Sequence, residues 1–194
     1  MSASDLEQRI AQLEDIEAIK KLKASYCLHV DHANEEGWVS LFTEDAVWES
    51  DKFGRFEGRE AIRGLFRNIP EMLHFAIHYV MNPIIEVNGN RATGIWYLLE
   101  PCTFAKGKQA AWGAARYDEE YVKVGGEWKF KRLRLNSWFW APFDQGWAKR
   151  RYVMDWSCGT ANVTLRVKGT RQLKEGNHEQ LNDHLRRYPC DRNA

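Results

Sequence analysis

The chain has 194 residues, of which 44% are hydrophobic and 28% charged, and its net charge is +1. This balance suits one folded domain with an appendage and excludes wholesale disorder. There is no basic stripe interleaved with aromatics and no apolar run of membrane-spanning length, so neither nucleic acid nor a membrane is expected as a partner.

From the N-terminus, MSASDLEQRI is polar and acidic rather than a signal peptide. A first helix is expected from Asp5 to about Val30, because Ile16, Ile19, Leu22, Tyr26 and Val30 recur at three- and four-residue spacing. A shorter helix follows from Asn34 to Phe42, with Trp38, Leu41 and Phe42 inward, and TEDAVWES then turns into a strand. REAIRGLFRNI reads as a third amphipathic helix, ended by Pro70. From His74 onward the period changes to that of strands. Four long strand-favouring runs are separated by NGN, AKGKQ and GGE, each suited to a hairpin loop. Helices followed by antiparallel strands define an α+β domain, with the helices covering one face of a bent sheet. After Trp147 the chain is more polar, with one strand-like piece (Asn162 to Val167) and one helical piece (His178 to Arg187). We therefore expect a domain over 1–147 and a C-terminal extension over 148–194, either an arm or a partly disordered tail.

The four cysteines, Cys27, Cys102, Cys158 and Cys190, lack CxxC spacing. That suits reduced thiols in a cytoplasmic protein better than a disulfide framework or a zinc site. Nine Trp, nine Phe and seven Tyr are the informative excess. Such a load serves either a large aromatic core or a cavity for a bulky apolar ligand.

Three positions carry candidate chemistry. Tyr26 lies on the inward stripe of the first helix, Asp31 at or past that helix's end, and His78 on the first long strand, facing the same way as His74 and Val80. A carboxylate accepting from one imidazole nitrogen fixes the tautomer and raises the basicity of the other nitrogen, which makes a general base near neutral pH. A neighbouring phenol could polarise a carbonyl or protonate a leaving hydroxyl. Each residue alone also has an ordinary reading: Asp31 as a solvated helix end, His78 as a satisfied core histidine, Tyr26 as core. His29 and His32, one turn apart, raise the question of a metal, but the familiar spaced ligand sets are missing and no metal is expected.

The motif order Y-x4-D, LFTEDAVWE, GREAI, HYVMNPIIEVNGNRATGIWY, GAARYDEEY and GEWKFKRL resembles the SnoaL-like branch of the nuclear transport factor 2 (NTF2) superfamily over residues 6 to 143. The branch includes scytalone dehydratase, bile-acid 7-alpha-dehydratase and hexachlorocyclohexane dehydrochlorinase. The resemblance implies a cone-shaped, strongly curved antiparallel sheet around a deep apolar pocket, closed by three N-terminal helices (the cystatin-like roll). It also implies a lyase without a cofactor, in which His78, oriented by Asp31, removes a proton and Tyr26 assists the leaving group. The substrate is expected to be a bulky aromatic or polycyclic small molecule, held by Arg134 or Asn136 and walled by Trp48, Phe53, Tyr97, Trp112, Trp138 and Trp140. A ketosteroid-type isomerase, a carbon–carbon lyase releasing formaldehyde from a lignin-like aromatic, and a non-catalytic assembly subunit of the ring-dioxygenase type stay open as alternatives. An apolar outer sheet face would need covering, so a homodimer or homotrimer is expected.

Overall fold

The computed structural model describes residues 2–153. The expected strand and helix beyond residue 153 lie outside the described residues. Helix α1 spans Ala3–Asp31 and opens with a capping box, in which Ser2 Oγ accepts from the Asp5 amide and the Asp5 carboxylate accepts from the Ser2 amide. Its burial begins only at Ile19; Leu6, Ile10 and Leu13 on its first turns stay exposed. Helix α2 (Glu35–Ser40) is capped by Asn34, whose side chain accepts from the Gly37 amide. It stops short of Phe42, which already belongs to strand β1 (Phe42–Ser50). Strand β2 is Gly54–Glu57, and helix α3 is Arg59–Met72. Pro70 does not end α3, as the sequence suggested. It sits in the last turn, where one missing N–H breaks a single intrahelical bond and the helix runs on for two residues.

Strands β3 (Leu73–Ala76), β4 (Tyr79–Asn88), β5 (Arg91–Phe104), β6 (Gln109–Val124) and β7 (Glu127–Pro142) follow, then a short helix α4 (Gly146–Lys149). The sheet order is β2-β1-β7-β6-β5-β3, with β4 also on β5. The β6–β7 turn uses Gly125 and Gly126, both at positive φ (59° and 87°), as a tight hairpin in register with the sheet twist requires. One departure from the expected all-antiparallel sheet is that β1 joins β7 in parallel. The expected single strand through His78 is also split in two. Ala76 pairs with Cys102 and Tyr79 with Leu99, so the same register sets Ile77 opposite Pro101 and His78 opposite Glu100. The Ile77 amide still donates to the Pro101 carbonyl at 3.2 Å, but Pro101 has no N–H to return and the His78 amide turns away to Asp31, so the regular ladder is broken at 77–78.

On the long strands alternate residues define the concave face: Trp96, Leu98, Glu100, Cys102 and Phe104 on β5, and Ala115, Tyr117, Glu119 and Tyr121 on β6, all buried. Leu133, Leu135 and Trp140 continue it on β7. Glycine is required at Gly113, because a Cβ there would lie 2.3 Å from the Trp140 ring, which covers that stretch of β6. At the closed end of the cone a buried ion pair, Lys23 to Glu119 at 2.5 Å, lies with its ammonium 3.3 Å from the Tyr117 ring centroid. Tyr121 donates to the same carboxylate, so both buried charges are satisfied.

Candidate active site

The helices and the concave face enclose a cavity of about 660 Å³. This is the size of a pocket for a drug-sized ligand, within the range of about 300–1,000 Å³. A second depression, lined largely by charged and polar residues including Asp45, Glu86, Arg91, Glu120 and Lys131, contains none of the residues described next.

Asp31 is the last residue of α1, and its carboxylate accepts twice from His78: from the amide at 3.1 Å and from Nδ1 at 2.6 Å. This two-point contact fixes both the backbone and the ring of His78. With Nδ1 donating to Asp31, the lone pair is left on Nε2. That nitrogen lies 3.5 Å from Glu100 Oε2. Glu100 is 2% exposed, and its Oε1 has no hydrogen-bond partner among the described residues. Burial opposes charge on the imidazole, yet the carboxylates of Glu100 and Asp31 outweigh it and hold the His78 pKa above its ordinary value. Burial likewise pushes the Glu100 carboxyl up, against the lowering effect of His78. The two behave as a coupled pair that keeps a proton to higher pH than an isolated carboxyl would.

Tyr26 also lines this cavity, with its ring 6.4 Å from that of His78 and its hydroxyl accepting from Trp48 Nε1 at 3.2 Å. Burial raises its pKa far above the ordinary phenol value, so it stays a protonated donor. Tyr117, whose ring meets that of Tyr26 edge to face at 6.2 Å, is held protonated for the same reason. Against them pack Trp38, Phe42 and Phe130, at ring distances of 5.3, 6.2 and 5.6 Å from Tyr26, which make a rigid aromatic floor.

The cavity brings together His78, Asp31 and Tyr26, with Trp48, Phe53 and Trp140 on its walls. The other expected wall residues lie elsewhere. Arg134 and Asn136 share a face with Arg132 and Trp138, as strand alternation led us to expect, but it is the convex face. Leu133 and Leu135 take the inward positions, and the ionic groups stay where solvent can reach them. Arg132 pairs with Glu49 at 2.7 Å, and Asn136 donates to Asp118 at 2.6 Å. Tyr97 and Trp138 meet edge to face outside the cone at 4.9 Å, and Trp112, on the same parity of β6 as Arg116 and Asp118, also faces outward. His74 lies on the exposed rim of the cavity. His29 lies apart from the cavity and accepts or donates with Asn34 at 3.2 Å, and the described residues hold no cluster of metal-ligating groups. Sequence reasoning passed over Glu100 and Tyr117. A signal existed for the former: Glu100 is the one carboxylate on the apolar alternation Trp96, Leu98, Cys102, Phe104.

A curved sheet closed by helices over an aromatic pocket with a carboxylate–histidine pair defines an α+β domain of the NTF2-like, cystatin-like class. Residues 11–134 match the SnoaL-like domain, and the chain belongs to that family. Among its relatives is the gamma-hexachlorocyclohexane dehydrochlorinase of Sphingobium indicum, 29% identical over 127 residues that make up 64% of this chain and 81% of the relative. The crystal structure of LinA superposes with a TM-score of 0.66 at 28% identity, covering 69% of this chain and 92% of the other. A putative scytalone dehydratase from Novosphingobium aromaticivorans gives a TM-score of 0.63 at 25% identity, covering 68% and 89%. The described residues include no helix long and apolar enough to cross a membrane.

Proposed function

We propose that the protein is a lyase that eliminates a leaving group from a bulky, largely aromatic small molecule by general-base catalysis. The observation that carries this reading is the His78–Asp31 contact, 2.6 Å from Nδ1 to Oδ1, with the opposite ring nitrogen available inside an aromatic cavity. Asp31 orients His78 and stabilises the imidazolium that forms; His78 Nε2 removes a proton from a carbon acidified by its neighbours. Tyr26 O–H, kept protonated by burial, donates to a substrate oxygen. The apolar walls (Trp48, Phe53, Leu135, Trp140) recognise a hydrocarbon or aryl body by burial alone. The named activity of the dehydrochlorinase relative is an elimination of the same kind, which supports the reaction class.

The test is a thermal-shift screen of aromatic and steroid-like compounds, because a ligand of the folded state raises the melting temperature with occupancy. Mass analysis of the products of each hit follows. Elimination removes the mass of the leaving group, isomerisation conserves mass, and carbon–carbon lysis releases a one-carbon aldehyde. On the substrate so found, His78→Ala and Asp31→Asn should each lower kcat/KM by about 10²- to 10⁴-fold, the usual contribution of a positioned base. Turnover unchanged in both variants sinks the mechanism.

A further inference from the structure

His78 has a carboxylate on each side. Asp31 holds Nδ1 at 2.6 Å and Glu100 lies 3.5 Å from Nε2, directly across the strand register. Orientation of the base needs only the first. A second carboxyl, 2% exposed on an otherwise apolar stripe, is costly if it is charged and unpaired. Its Oε1 has no partner among the described residues, and the residue lines the cavity. The remaining charged groups facing the pair are Asp31 and, from the closed end, Lys23, which is already satisfied by Glu119. A structural carboxylate would be expected to have both oxygens bonded. This one stands beside the free nitrogen of the base with an oxygen to spare.

We propose that Glu100 is the general acid of the site, sharing one proton with His78 Nε2, and that the substrate class is one that expels oxygen as water rather than halide. The proposal rests on the reading of His78 as the base. In the elimination, the substrate C–H bond breaks with its proton passing to His78 Nε2, and its electron pair becomes the new π bond. The adjacent C–O bond breaks with its pair on oxygen, and that oxygen takes the Glu100 proton and leaves as water. The imidazolium then returns its proton from Nε2 to Glu100 Oε2, so the enzyme resets with no external acid. Hydroxide is a poor leaving group and needs that proton; chloride departs as a stable anion and does not. Because acid and base stand 3.5 Å apart on one wall, the proton and the hydroxyl leave from the same face of the substrate. Burial, which holds the Glu100 carboxyl up, keeps it in the acid form this role requires.

Two measurements on the full chain test this. The first is a ¹³C titration of the glutamate carboxyl carbons, with Glu100→Gln identifying the resonance, alongside a ¹⁵N titration of the histidine rings, with His78→Gln identifying that one. Glu100 should titrate well above about 4.3, the ordinary glutamate value, and Glu100→Gln should lower the midpoint of His78. A Glu100 that titrates like a surface carboxylate overturns the proposal. The second compares initial rates on scytalone, which loses a hydroxyl, and on gamma-hexachlorocyclohexane, which loses chloride. Wild-type preference for scytalone, with kcat lowered about 10²-fold or more by Glu100→Gln at unchanged KM, supports the acid role. Preference for the halide, or equal losses on both probes, overturns it. If neither compound is turned over, the titration decides alone. Unchanged rates in His78→Ala, beside a Glu100 that titrates high, would sink the base and leave the unusual carboxyl in place, so the two failures are distinguishable.

Discussion

On β5–β7 the concave face presents Trp96, Leu98, Glu100, Tyr117, Leu135 and Trp140, while the convex face presents Ile95, Tyr97, Trp112, Asn136, Trp138 and Phe139. Both sets are rich in aromatics and each contains polar groups. They differ in what the polar groups can reach. Outside, Asp118 finds Arg116 and Asn136 at the surface, where solvent screens the interactions and each is worth little. Inside, Glu100 and Asp31 meet one imidazole in a largely buried cavity, where the two carboxylates raise the proton affinity of His78 and burial raises that of Glu100. One sheet thus makes a reactive wall and an inert one from similar residues, and parity along the strand decides which is which.

Loss of turnover in His78→Ala is the largest effect expected from the concave side. Trp140→Ala on the same side should destabilise the fold by about 3–5 kcal/mol in urea melts, as for a large aromatic removed from a core. A loss under about 1 kcal/mol would mean that Trp140 is a movable lid rather than a wall.

The next effect is a dependence on pH. The folded chain holds the Glu100 proton above the pH at which the unfolded chain releases it, about 4.3. The unfolded state therefore binds fewer protons, and stability falls as pH rises from there towards neutrality. The raised pKa of His78 works in the same direction from about pH 6.5 upward. Glu100→Gln should flatten the lower part of that slope in urea melts across the range; a slope equal to wild type would show that the carboxyl carries no linkage.

On the convex side, Tyr97 and Trp138 are each 39% exposed, with Tyr79, Met81 and Ile84 exposed beside them. The homo-oligomer expected from the sequence would cover this face. Tyr97→Ser with Trp138→Ser should then lower the sedimenting mass while the circular dichroism stays that of the folded chain. An unchanged mass assigns the contact to another surface. The smallest effects belong to Arg134→Ala and Asn136→Ala, expected to change stability by no more than about 0.5 kcal/mol and to leave KM unaltered. A raised KM in either would put those side chains back in contact with substrate.

The helices and the hairpin loops were legible because each rests on local chemistry: an apolar period or a glycine turn. Tyr26, Asp31 and His78, which line one cavity, were singled out by the order of motifs along the chain, since locally each also has an ordinary reading. The assignment of faces was less so. Arg134 and Asn136 were correctly grouped with Trp138, but nothing local says whether that group faces the cavity, and the aromatic residues on both sides of the sheet look alike in sequence. The interruption at Ile77–His78 was hidden because its cause, Pro101, lies on another strand. Glu100 is the one carboxylate on the inward alternation of β5, but its partner was hidden, because only the register sets it against His78.

Residues 151–153 lie alongside Trp140, whose amide donates to the Arg151 carbonyl at 3.0 Å and whose carbonyl accepts from the Val153 amide at 2.6 Å. Trp140 is also the ring that covers Gly113 and lines the cavity. A protease nick or a stop codon near residue 147 would strip the backbone partners from one side of that residue and leave an open strand edge, the kind of edge that recruits other chains. The far end of the described chain therefore acts as a latch on the pocket wall, and a truncation chosen to trim a tail would loosen the chamber it was meant to isolate.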